Sequence, residues 1–188
     1  AALLTGKYCS QTGVMRNNMK YPSEEKSIAD MFNEKGYHTC YIGKWHLAGP
    51  PAATRWVPPE HRAGFSEFIG WEAHHGLHID QKIFDDDHPD EGMVMKGHET
   101  DGLTDIICSK LEEHKEDNFC MFAAYQAPHP VCDPPEPYGG MYEDVDIPFK
   151  PTVSFDASFT GYPQIEGAST EQGPEIFLRR YFGEVSHL

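Results

Sequence analysis

Lys44 and His46 stand together at the end of an apolar run, Tyr37-His38-Thr39-Cys40-Tyr41-Ile42-Gly43. His129 closes a second such run, Phe119 to Tyr125 followed by Gln126-Ala127-Pro128-His129-Pro130. An ammonium group is a fixed positive charge, and an imidazole both donates hydrogen bonds and carries protons near neutrality. A group of this kind suits an oxyanion: the cations hold developing negative charge, and a histidine protonates a poor leaving group. Taken singly, each is an ordinary loop residue. Their shared setting after apolar runs argues for a site.

The runs read as strands. Thr39 to Ile42 is apolar on both faces, as an interior strand of a parallel sheet requires. Ligands of open α/β sheets bind beyond the carboxyl ends of the strands, where these three side chains fall. Before the first strand, Ile28, Met31 and Phe32 give a helical stripe, with Ser23 as N-cap and Gly36 as terminator. Ala1 to Thr5 read as the tail of a helix ended by Gly6, and 7–22 as polar loop. A helix is expected over Thr100 to Asp117, with Leu103, Ile106, Ile107 and Leu111 facing inward. Another starts near Glu171, with Leu178, Tyr181, Val185 and Leu188 on one face. Residues 48–97 and 131–170 read as long loop regions, the first tacked to the core by Phe65 and Phe68 to Trp71. Helix and strand alternate, which predicts an α/β fold: a three-layer αβα sandwich with a mostly parallel central sheet, incomplete at both termini. Residues 1–188 are taken as one partial domain.

Composition bounds the function. Hydrophobic residues make up 39% of the 188, enough for a core. The formal charge is −15, which argues against a nucleic-acid partner. A cleft with a few cations still admits a small anion. No apolar run is long enough to cross a membrane, and no signal peptide is read, although the chain opens in mid-pattern. Cys9, Cys40, Cys108, Cys120 and Cys132 are odd in number and form no CxxC pair, so they read as reduced, and zinc is not expected. That leans towards the cytoplasm and leaves periplasmic or secreted locations open.

The stretch Gly36-Tyr37-His38-Thr39-Cys40-Tyr41-Ile42-Gly43-Lys44-Trp45-His46-Leu47 resembles the second signature of the sulfatase family, of the alkaline-phosphatase-like superfamily. Ala1-Ala2-Leu3-Leu4-Thr5-Gly6-Lys7-Tyr8 looks like the segment directly after that family's C-x-P-S-R motif. Phe122 to Pro130 is similar to its strand leading into A-P-H-x-P. Arg179 to Leu188 looks like the helix before its remaining metal ligands. The resemblance implies a sulfuric ester hydrolase acting on a small-molecule or glycan sulfate ester. It puts the sulfate-contacting lysine on Lys44, the histidine that assists the nucleophile on His46, and the histidine that protonates the leaving alcohol on His129.

The resemblance also implies cofactors. The family's formylglycine and first metal-binding aspartates would fall before Ala1, and its later ligands and second lysine after Leu188. The divalent ion, calcium in the family, therefore has no ligand assigned within this chain. The chain is expected to be inactive alone and to self-associate through open sheet edges. Cys9 is not read as the nucleophile, because Gln11 and Gly13 stand where the motif needs proline and arginine. His74, His75 and His78 read as a histidine-rich loop, and Asp85, Asp86 and Asp87 with Asp90 and Glu91 as a solvated acidic patch. Two other readings stay open: a phosphate or phosphonate ester hydrolase of the same superfamily, and a non-catalytic carbohydrate-binding module.

Overall fold

The structure is a computed structural model that describes residues 1–49, 55–73, 78–148 and 173–188. The chain divides into two compact units. The first comprises Ala1–His74, Lys82–Met95 and Asp101–Tyr125; the second comprises His75–Gln81, Lys96–Thr100 and Gln126–Leu188.

A parallel sheet in the first unit carries the predicted site strand at its centre. Its order is β2 (Glu67–Trp71), β1 (His38–Lys44), β5 (Phe119–Ala124). The five inner residues of β1 are all buried, as expected for a strand covered on both faces. Alternate residues feed separate clusters. Tyr41 packs with Trp45, Phe65, Phe68 and Ala29, beneath α1 (Ala2–Thr5) and α3 (Ile28–Asn33). Cys40 and Ile42 pack with Ile69, Trp71 and Leu103, beneath α4 (Glu99–His114). Helices on opposite faces of a parallel sheet make the α/β layering that the alternation of elements predicts. Among the described residues, no helix is long and apolar enough to cross a membrane.

Several details correct the sequence reading. The cap of α3 is Ser27, not Ser23. Its hydroxyl accepts from Asp30 N at 3.1 Å, while the Asp30 carboxylate accepts from Ser27 N at 2.8 Å. Reciprocal capping satisfies two helix-end donors and fixes the start. The polar stretch 7–22 contains the short helix α2 (Cys9–Thr12). Residues 48–97, read as loop, hold the full strand β2, paired parallel with β1, and the small antiparallel pair β3 (Lys82–Ile83) and β4 (Met93–Val94). Strand β5 is only half-buried, and among the described residues it pairs with β1 alone. Leu111 is exposed on α4. The last helix, α5 (Gly173–His187), buries Gly183 and Glu184, whereas Val185 and Leu188 are exposed. Residue 171 lies outside the described residues, as do 149–170 of the second expected loop.

Glycine is required where the three strands meet. Gly43 stands opposite Gly70 on one side and Ala124 on the other. A Cβ on Gly43 would lie 2.1 Å from Ala124 O, and φ there is +115°. A Cβ on Gly70 would lie 2.1 Å from Gly43 O. Side chains are excluded at Gly43 and Gly70, and the first of these stands one residue before the cation at the strand end.

Candidate functional site

Beyond Gly43 the chain leaves the sheet under tight control. The Tyr41 hydroxyl donates to Lys44 O at 2.6 Å, and Trp45 N donates to Trp71 O at 2.9 Å. Trp45 is buried and meets Tyr41 edge-on, with ring centroids 4.7 Å apart. The backbone then turns, and His46 adopts a positive φ of 69°. Positive φ is costly for a residue with a Cβ and persists only where the surroundings hold it. Here the holder is Glu72, which is 4% exposed. One of its oxygens accepts His46 N at 3.0 Å and the other accepts Ala48 N at 3.3 Å. Burial raises the pKa of this carboxyl above its ordinary value, against the opposing pull of the backbone donors and Lys44. Tyr21 N secures the far end of the loop on Leu47 O at 2.8 Å.

The His46 ring stands 2.9 Å from Asn18, with Nε2 facing Oδ1. An amide oxygen only accepts, so Nε2 carries the proton and the neutral ring keeps its lone pair on Nδ1. A cleft of about 400 Å³ opens beside it, lined among others by Ala1, Met15, Arg16, Asn17 and Trp45. Lys44 is half-buried at the strand end. The structure thus brings Lys44 and His46 to one strand end in the first unit.

His129 lies in the second unit and is exposed. Its Nδ1 donates to Pro130 O at 2.5 Å, and its backbone N donates to Gln126 O at 2.9 Å. The carbonyl of His129 accepts from Nε2 of His78 at 2.9 Å. His78 is fully buried and braces the segment that carries His129; the reading of it as a loop histidine is corrected. His74 and His75 lie outside the described residues.

The remaining candidates sort by their partners. Cys9 is exposed at the start of α2. The acidic run at 85–87 is corrected in part. Asp86 takes both terminal nitrogens of Arg62, whose Nε donates to Val57 O at 2.8 Å. Arg62 is 1% exposed and lies over the Trp56 and Phe68 rings, so Asp86 is the counter-ion of a buried guanidinium. Arg62, through its hydrogen bonds, holds the Asp86 carboxyl below the usual range. Asp85 pairs with His88 at 2.9 Å.

One histidine–carboxylate group that could hold a metal ion is His38, Glu67 and His114. Glu67 accepts from Lys110 Nζ at 2.6 Å and from His38 Nε2 at 2.8 Å. The ammonium already supplies a counter-charge there, so this group reads as an ion-pair network joining β1, β2 and α4.

Glu72, Arg16 and Asn18 were missed in the sequence. Glu72 directly follows β2, whose last residue Trp71 pairs with Lys44, so the strand-end rule finds it once residues 67–71 are recognised as a strand.

The sulfatase family profile matches residues 1–162. The chain is 31% identical over 175 residues to an ulvan-active sulfatase of Formosa agariphila, covering 92% of this chain and 32% of that protein. It is 30% identical over 159 residues to an N-acetylglucosamine-6-O-sulfatase of Bacteroides thetaiotaomicron, covering 83% of this chain and 26% of that one. The chain therefore spans about a third or less of the length of these relatives. Among solved structures, a phosphonate monoester hydrolase of Silicibacter pomeroyi superposes with a TM-score of 0.70 at 19% identity, over 100% of this chain and 46% of that one. At that identity the likeness concerns the fold.

Proposed function

The chain belongs to the sulfatase family, and on that premise we propose that the protein containing it hydrolyses a sulfate ester carried by a glycan. The observation that carries the reading is the delivery of Lys44 and His46 together at the carboxyl end of the central parallel strand, with a cleft beside His46. The glycan is supported by the two relatives, one ulvan-active and the other an N-acetylglucosamine-6-O-sulfatase.

Each residue has a role its surroundings suit. Lys44 places a fixed positive charge against the sulfate oxygens, where negative charge builds up as the ester breaks. His46, oriented by its Nε2 contact with Asn18, assists the attacking group. His129 is the acid for the departing alcohol. Its Nδ1 proton is engaged by Pro130 O, so the proton to be delivered resides on Nε2 of the imidazolium. Glu72 holds the backbone that presents His46 and is a positioning residue.

Sulfatases generally depend on a metal ion and a formylglycine. Calcium takes about six to eight oxygen ligands. Among the described residues, the groups able to hold a metal rely on imidazole nitrogens. These residues do not fit the family's ion.

The test is kinetic, on the full-length protein with a 6-sulfated N-acetylglucosamine. Lys44→Ala and His129→Ala should each lower kcat/KM by about 100-fold or more. An aryl phosphonate monoester serves as competing substrate. Full activity in Lys44→Ala, or a preference for the phosphonate, would overturn the reading.

A further inference from the structure

Four chemistry-bearing side chains belonging to the second unit are shielded from bulk water. His78, His98, Glu99 and Glu184 are 0%, 3%, 0% and 0% exposed. They come from three separate stretches of sequence, residues 78, 98–99 and 184. Ligand atoms of His78, His98 and Glu184 all lie within 4.8 Å of one another. His78 Nδ1 stands 3.1 Å from Glu99 Oε1, and His98 Nε2 stands 3.5 Å from Glu184 Oε2. The two imidazole rings are parallel, with centroids 5.5 Å apart.

The outer contacts orient the inner atoms. Nε2 of His78 must donate to the His129 carbonyl, so a neutral ring directs the Nδ1 lone pair at Glu99. One oxygen of Glu184 accepts Asp133 N at 2.7 Å, which leaves the other turned towards His98. Metal-bound histidines and carboxylates are commonly steered by such backbone contacts. None of His78 Nδ1, His98 Nε2, Glu184 Oε2 or the two Glu99 oxygens completes a hydrogen bond.

Charge decides what the cluster lacks. Two neutral imidazoles and two carboxylates amount to two buried negative charges. Among the described residues, no lysine or arginine is paired with Glu99 or Glu184, whereas Glu67 in the other histidine–carboxylate group has Lys110. A lone pair directed at a carboxylate 3.1 Å away is repulsive unless a positive species lies between them. Buried charge of this kind is neutralised either by protons on both rings or by one dication. Protonated rings should form well-aligned hydrogen bonds to their carboxylates, and these pairs do not. A tetrahedral ion with bonds of about 2.0–2.2 Å spaces its ligands roughly 3.4 Å apart, close to the 3.5 Å between His98 Nε2 and Glu184 Oε2.

We propose that His78, His98 and Glu184 form a structural site for one first-row divalent transition metal, with Glu99 a neighbouring carboxylate that balances its charge and zinc the best match. Two imidazole nitrogens and a carboxylate oxygen in a buried setting suit zinc, and calcium is disfavoured by the imidazoles. Binding through His98 Nε2 moves that ring's proton to Nδ1 and gives up the long 3.3 Å contact from Thr100 N. The site is distinct from the sulfate pocket proposed above and does not depend on that reading. Its consequence is mechanical: a fixed His78 fixes the carbonyl of His129.

The test is metal analysis of the full-length protein after zinc loading and dialysis. About one zinc per chain is expected, falling to background in His98→Ala and in Glu184→Gln while any calcium content is unchanged. Because these variants replace buried groups, a second measurement uses the unaltered protein. Cobalt(II) added to the metal-stripped chain should give the intense visible bands of a tetrahedral ion, and zinc should abolish them. Absence of bound zinc with no cobalt spectrum, or zinc retained equally by folded variants, would overturn the site. NMR signals showing both rings doubly protonated in zinc-loaded protein would overturn it too.

Discussion

The carboxylate of Glu72 accepts two backbone N–H groups of the loop that presents His46. Removing it strands both donors in a nearly dry setting, at roughly 1–3 kcal/mol for each group left unsatisfied. Glu72→Ala should therefore lower the thermal midpoint, and in the full-length protein it should reduce kcat more than KM. A KM change alone would deny it a positioning role. Lys44, His46 and His129 stand out in the sequence because each follows an apolar run and breaks its pattern. Glu72 was not, because the five residues before it include Gly70 and a charged start at Glu67, which weaken the strand signal. Glu184 was hidden by helical periodicity, which put Val185 on the covered face. The close approach of Gly183 to Tyr138 O, where a Cβ would lie 2.6 Å away, brings the neighbouring glutamate inward instead.

Strand β2 opens on one glutamate and is followed by another, and their pKa values move in opposite directions. Burial would raise the Glu67 carboxyl, but hydrogen bonds from Lys110 and His38 overcome it and hold the pKa at about 2. A depressed carboxylate adds stability that is complete above its ordinary value of 4.5 and is lost as pH falls towards 2. Glu72, shifted upwards, has the opposite sign: its contribution is greatest at low pH and declines as it ionises. Acid titration of the wild type should show lost stability between about pH 4.5 and 2, and Glu67→Gln should flatten that limb. An unchanged limb would remove the network from the account of how β1, β2 and α4 are joined. The alternation of helix and strand was readable, as were the course of β1 and the body of α4. The N-cap of α3 was readable too, since Ser27-x-x-Asp30 carries the capping pattern, but Ser23 after Pro22 was the stronger local cue. Strands of two residues, such as β3 and β4, offer no period to detect.

At the scale of the whole chain, sheet β2-β1-β5 has an outer edge on β5 that finds no strand partner among the described residues, and its β2 edge is met there only by the antiparallel bridge of Gly70 to Phe84. Unpaired edges invite pairing with a second copy. The isolated 188-residue chain should self-associate in light scattering and should not turn over an aryl sulfate; a monomer with a sharp melting transition would contradict the first expectation, and turnover would contradict the second. The net charge of −15 opposes association at low salt, so the effect should grow as salt screens it. Residues 1–162 carry the family profile, so fold and ancestry were both legible in the signature around Lys44. Histidines 78 and 98 meet through folding over distances that no local pattern encodes.

Arg62 offers a native-state clock. Trypsin cuts after arginine and needs the side chain in its own pocket. With the guanidinium 1% exposed and engaged by Asp86 and Val57, that bond is out of reach while the first unit is intact. Digestion of the native chain should begin at exposed lysines such as Lys26, and a fragment ending at residue 62 should appear only at the rate at which this part of the molecule opens. Early cleavage there would mean that the aromatic bed around Arg62 breathes far more freely than its packing implies.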